Sequence, residues 1–249
     1  MSKNALSSAL AVTIVLTLGC ATSGSGGLFE DILGTVEGLK PSAAGGLTDG
    51  QVVSGLKEAL SVGTANAVTA TSKIDGYFAN AAIKILMPEK ARKVAAVLEK
   101  VGFKQEVDDF VLSMNRAAEN AAPQARVRFI AAIKEITFDD ARKILGGGDT
   151  AATDYFEGKT RQKLYDDFRP VVSKSMNEVG VTRSYKRMMA QYTALPFTRA
   201  ESLDLDRHVT EKALDGLFYM LGQEEKKIRT DPAARVTDLL KTVFRSGSR

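Results

Sequence analysis

From Thr48 onward, apolar residues recur at helical spacing, and Gly or Pro punctuates the runs. No stretch of useful length alternates apolar and polar side chains as a half-buried strand does. That combination constrains the chain to an all-α fold. The first stripe is Val52, Leu56, Ala59, Leu60, Gly63 and Ala67, entered through Thr48-Asp49-Gly50-Gln51, which has the form of a capping box. Gly63, in the small-residue row Ala59/Gly63/Ala67, is expected to let another helix approach closely. Pro88 suits the first turn of the next helix, whose stripe is Val94, Leu98 and Val101 and whose stop is Gly102.

Val107, Phe110, Val111, Met114, Ala117, Ala118 and Ala121 form a third stripe. Pro123 breaks that helix or starts its successor, which carries Val127, Ile130, Ile133 and Ile136. Thr137-Phe138-Asp139-Asp140 again has the form of a cap, and Gly146-Gly147-Gly148 stops the short helix behind it. A long stripe follows from Ala152 through Phe156, Leu164, Phe168 and Val172 to Met176. Pro170 lies inside it and predicts a kink or break near Arg169, because its ring removes one backbone bond and crowds the preceding turn. Gly180 is expected to close this segment and Thr182 to cap the next, with Tyr185, Met188, Met189 and Tyr192. A loop is expected from Leu195-Pro196-Phe197 to Asp206. Val209, Ala213, Leu217, Met220, Leu221 and Ile228 then define a strongly apolar helix, and Asp231-Pro232 opens a last one with Leu239, Leu240, Val243 and Phe244. Most of these helices are too short to be stable alone and must be held by mutual burial. The expectation is a single multi-helix, bundle-like domain over residues 48–249.

The N-terminus has a different character. An apolar run of about ten residues, Ala9 to Leu18, is half the roughly 20 needed to span a bilayer. Lys3 precedes it and Gly19-Cys20 ends it, as in an export signal. Thr17-Leu18-Gly19-Cys20 resembles a bacterial lipoprotein cleavage box, with Thr17 where a large aliphatic residue is usual. Residues 1–19 are therefore expected to be a signal peptide and Cys20 the lipid-attachment residue. Ordinary cleavage after Ala21, giving a soluble periplasmic protein, is the alternative. Cys20 is the only cysteine, so no internal disulfide forms. Residues 20–47, rich in Gly, Ser, Ala and Thr, are expected to be a flexible tether. The resemblance implies an exported protein anchored to the membrane through its N-terminus. Ala21 rather than Asp after the cysteine favours the periplasmic face of the outer membrane.

Composition excludes several functions. Removing residues 1–19 takes one lysine from the 34 Lys and Arg, leaving 33 against 30 Asp and Glu, a formal +3. That near balance, together with export, argues against nucleic acid as a partner. His208 is the only histidine, which excludes a histidine-rich metal site and a Cys–His nucleophilic pair. No motif calls for a cofactor or a metal.

The chain also resembles a family. Gly147-Gly148-Asp149-Thr150-Ala151-Ala152-Thr153-Asp154-Tyr155-Phe156 is the most characteristic stretch. Others are Met114-Asn115-Arg116-Ala117-Ala118-Glu119, Lys212-Ala213-Leu214-Asp215-Gly216-Leu217-Phe218 and Asp231-Pro232-Ala233-Ala234-Arg235. Over roughly Leu47 to Phe244 the chain resembles the bacterial DUF4197 family. The resemblance implies an exported helical domain and supplies no catalytic residues.

Candidate chemistry is sparse. Gly146 to Thr150 precedes a helix whose N–H groups suit an anion, but the phosphate-loop spacing and lysine are missing, and a glycine stop with an Asp149 cap is the simpler expectation. Arg116, Asp149, Thr150 and Asp154 are the candidate ligand-binding residues. Arg116 and Glu119 also have the spacing of a surface ion pair. Asp149, Asp154, Asp204, Asp206 and Asp215 offer carboxylates for acid–base work only if they converge. Lys84, Lys90, Arg92, Lys93, Lys100 and Lys104 form a basic neighbourhood that suits anionic head groups or a solvated helix face. The leading expectation is a non-catalytic envelope module that binds a protein, a lipid or a cell-wall component. The alternatives are an enzyme using carboxylates near Asp149 and Asp154, and a carrier of apolar ligands between its helices.

Overall fold

The computed structural model describes residues 48–178, 180–194, 203–235 and Lys241. Cys20, the tether, Leu195-Pro196-Phe197 and the Leu239, Leu240, Val243, Phe244 stripe lie outside the described residues. Within them the chain is all-α, with no strand. The helices are α1 (Asp49–Ser72), α2 (Glu89–Lys100), α3 (Lys104–Ala121), α4 (Ala125–Glu135), α5 (Phe138–Leu145), α6 (Ala151–Glu178), α7 (Val181–Thr193) and α8 (Leu205–Thr230).

Both capping boxes form. The Gln51 N–H donates to Thr48 Oγ1 at 3.3 Å, and Gln51 Oε1 accepts from the Thr48 N–H at 2.9 Å. The Asp140 N–H donates to Thr137 Oγ1 at 3.2 Å, with the reciprocal bond at 3.0 Å. Each box satisfies two backbone donors that a helix start otherwise leaves open. Gly102 takes φ 97° just beyond α2, the left-handed geometry that a glycine stop exploits.

α1, α3, α6 and α8 pack around one continuous core, with α4 and α5 on one side and α2 and α7 on the other. Phe129 of α4 meets Phe156 of α6 at 5.9 Å and Phe218 of α8 at 6.0 Å, both edge to face. Such contacts contribute about 0.5–1.5 kcal/mol each beyond the area they bury. Gly63 lies against Leu221, Glu224 and Ile228 of α8, the close approach its sequence row predicts.

Three expectations fail. α6 runs through Pro170 to Glu178, so the helix does not break near Arg169. Pro170 is exposed, while Phe168 and Val172 on either side are buried and hold the helix in place. α7 begins at Val181 behind Gly180, whose φ of 82° makes the turn, so Thr182 is a helical residue and not the cap. α8 also starts earlier than expected, because Asp204 caps it by accepting from the Arg207 N–H at 2.9 Å.

Candidate functional site

Several polar side chains are buried in the bundle and bond to backbone of neighbouring segments. Asn115 on α3 pairs with the Ile85 backbone in both directions, accepting at 2.8 Å and donating at 2.9 Å. Four residues on, Glu119 accepts from the N–H groups of Tyr77 and Phe78 at 3.1 and 3.2 Å. Arg116 donates to Glu119 at 2.7 Å and to Asp75 at 2.7 Å. These contacts clip the irregular segment between α1 and α2 onto α3. Asp75 there has φ 64°, and a Cβ on Gly76 would lie 2.5 Å from the Ala70 carbonyl. Glu119 is 3% exposed, so the Arg116–Glu119 pair is no surface pair. The buried Tyr77 hydroxyl donates to the Ala213 carbonyl at 2.6 Å; burial and the nearby Glu119 push its pKa up.

The second clip answers the question raised by the glycine run. Glu225 on α8 accepts from the N–H groups of Ala152 and Thr153 at 2.9 and 2.8 Å, and from Thr153 Oγ1 at 2.8 Å. The anion at the start of α6 is therefore the chain's own carboxylate, favourably placed against the helix dipole. Arg229 donates to Glu225 at 2.9 Å and to the Ile144 carbonyl at the end of α5 at 2.7 Å. One Glu–Arg pair thus joins three helices. Glu225 was legible in principle. It falls four residues after Leu221, on the apolar stripe, where a carboxylate must find partners.

The open site lies on the outer side of the α6–α8 contact. A groove of about 800 Å3 is lined by Arg161, Tyr165 and Arg169 of α6 and by Arg207, Glu211 and Asp215 of α8. It continues into a basin of about 440 Å3 holding Thr150, Asp154, Glu157 and Gln223. Across α8 it opens into another of about 600 Å3, with Lys84, Leu86, Arg92, His208 and Tyr219. Asp215 lines all three. Arg161 donates to Glu157 at 2.6 Å and also to Asp215, and Lys212 donates to the second Asp215 oxygen at 3.0 Å. Burial pushes the Asp215 carboxyl up, but the hydrogen bonds from Arg161 and Lys212 outweigh it and hold the group below its ordinary value. Arg207 pairs with Glu211 at 2.8 Å, and Arg169 stands 3.8 Å from Asp204.

A family model described as a protein of unknown function, DUF4197, matches residues 46–245. The chain belongs to the DUF4197 family. No curated protein and no solved structure matches it. The stretches that carry the DUF4197 resemblance now have physical roles. Met114–Glu119 holds the inter-helix clip, and Asp149–Thr153 opens α6 under Glu225. Lys212–Phe218 carries Asp215 on one side and, on the other, Gly216, where a Cβ would lie 2.7 Å from the Tyr77 ring. Arg235 donates to the Ile228 and Arg229 carbonyls at 2.9 and 2.7 Å and closes the end of α8.

Of the four candidate ligand residues, the fold brings two together. Thr150 donates to Asp154 at 3.4 Å, and both line the groove's far basin. Asp149 is exposed in the turn before α6, and Arg116 belongs to the α3 clip. Nothing in the sequence marks Arg161, Glu157 or Lys212 as groove residues. Their spacings, four residues for Glu157–Arg161 and three for Lys212–Asp215, occur on any solvated helix and do not tell which neighbour they face.

Proposed function

We propose that this domain is a non-catalytic binding module, held in the cell envelope through lipidated Cys20, whose α6–α8 groove recognises a charged segment of a partner protein. One observation carries the reading: Asp215 sits where three basins meet, ionised and shared between Arg161 and Lys212. Ion pairs in an open groove contribute only about 0–1 kcal/mol to stability. A partner's charges therefore replace them at little cost, and the alternating pattern sets register and specificity. Acid catalysis favours a carboxyl raised toward neutrality, and Asp215 is shifted the opposite way. The apolar hollow among Leu56, Leu60, Leu221 and Ile228 measures about 20 Å3, which does not favour an acyl-chain carrier. The envelope position rests on Lys3, the Ala9–Leu18 run and Cys20.

The test is a photoreactive side chain at Gln162, exposed on the groove wall, in the full chain expressed in its own host. A discrete adduct with an envelope protein is expected, together with a mature N-terminus whose mass shows an acylated Cys20. No adduct at Gln162, or full-length protein with Met1 free in the cytoplasm, contradicts the reading.

A further inference from the structure

Among the described residues, the cations between α6 and α8 are paired with carboxylates, but three on α2 are not. Residues 84–104 carry Lys84, Lys90, Arg92, Lys93, Lys100 and Lys104 against only Glu89 and Glu99. That stretch holds a net +4, as much as the whole chain's +4, so the remainder is balanced. α2 sits at the edge of the bundle, packed on α3 and α7 through Ala91, Val94, Ala95 and Leu98. The helical period places Lys93, Ala96, Val97 and Lys100 on the opposite, exposed face. Arg92, Lys93 and Lys100 have no side-chain partner among the described residues. Lys84 lies 4.0 Å from the centre of the Phe78 ring.

Large apolar side chains are exposed in the same segments. Leu86 is 60% exposed, Val101 49% and Val97 37%. Tyr219 and Arg92 line the basin beside Leu86. Exposed aliphatic groups set among unpaired cations match the interface of an anionic bilayer, where basic residues meet head groups and apolar ones enter the acyl boundary. No helix among the described residues is long and apolar enough to cross a membrane.

We infer that α2 and the segment from Ile83 to Met87 form a peripheral docking face for an anionic lipid surface. The inference goes beyond the groove reading and needs neither the groove's partner nor acylation of Cys20. Charge complementarity carries it, and it leaves the groove beside α6 open.

The chain contains no tryptophan, so one introduced residue is a clean reporter. Val101→Trp places it on the proposed face and Val127→Trp on α4, at a valine that is more exposed still. Full-length variants are mixed with vesicles of equal parts phosphatidylcholine and phosphatidylglycerol, or of phosphatidylcholine alone. A blue shift is expected for Val101→Trp with the anionic vesicles only, and none for Val127→Trp. Adding Arg92→Gln, Lys93→Gln and Lys100→Gln is expected to weaken that binding about a hundredfold, since three cations near the surface contribute about 1 kcal/mol each. Binding to neutral vesicles, which reports the N-terminal apolar run, stays equal. Equal affinity of the triple variant for anionic vesicles overturns the inference. So does an equal shift at Val127→Trp, or a shift at Val101→Trp that depends on protein concentration without lipid, which would mark a second copy as the occupant.

Discussion

The Glu225–Arg229 clip and the Asp215–Arg161 pair use the same chemistry on the same helix, ten residues apart. They differ in burial and in what else they hold. Glu225 is 7% exposed and accepts from two backbone N–H groups and a hydroxyl of α6. Asp215 is 44% exposed and pairs with the side chains of Arg161 and Lys212. A buried pair cannot be opened without leaving a desolvated charge, whereas an open pair exchanges its partner for solvent or for another molecule. The same residue types therefore build structure at one end of α8 and line an open groove, the proposed recognition surface, toward the other.

The largest expected effect comes from breaking the buried member. Glu225→Ala removes the anion at the start of α6 and leaves Arg229 without its carboxylate. Stability is expected to fall by about 3–5 kcal/mol, read by urea unfolding. A loss under about 1 kcal/mol would show that the clip is no more structural than the groove. Arg116→Ala is the next test, because it strips the cation from buried Glu119 and releases Asp75. A loss of about 2 kcal/mol is expected, with groove crosslinking unchanged. If crosslinking disappears while stability holds, Arg116 is a ligand residue after all.

Asp215→Asn is expected to change stability by at most a few tenths of a kcal/mol, because the pair is exposed. The sign follows from its lowered pKa. The wild-type advantage is present above the carboxyl's ordinary value of 3.8 and disappears as pH falls through its lower folded value. Unfolding curves of wild type and variant should therefore merge in acid and separate slightly at neutral pH, less so in high salt. A difference that grows on acidification would contradict the assignment.

The helices themselves were largely legible. Thr48/Gln51, Thr137/Asp140 and Gly102 are local signals, and local backbone geometry decides them. Pro170 permits a break, but the helix runs on between buried Phe168 and Val172, whereas at α7 one local signal displaces another, Gly180 rather than Thr182 making the turn. The site was less legible. Asp154 and Asp215 are recognisable as carboxylates, but only the crossing of α6 and α8 brings Arg161 between Glu157 and Asp215, 54 residues away along the chain. Glu225 and Glu119 were hidden differently. A charge in or beside an apolar stripe signals a buried partner without naming it, and here the partners are backbone groups of Ala152, Thr153, Tyr77 and Phe78.

The central claim is that groove charges face a partner while buried charges face the fold. Its most direct test inverts the groove without unpairing it. Arg161→Asp and Asp215→Arg combined with Glu157→Lys and Lys212→Glu keep each contact of the network between opposite charges and reverse every position. Unfolding free energy should stay within about 1 kcal/mol of wild type, and the Gln162 adduct should vanish. An adduct that survives the swap at full yield would contradict the account.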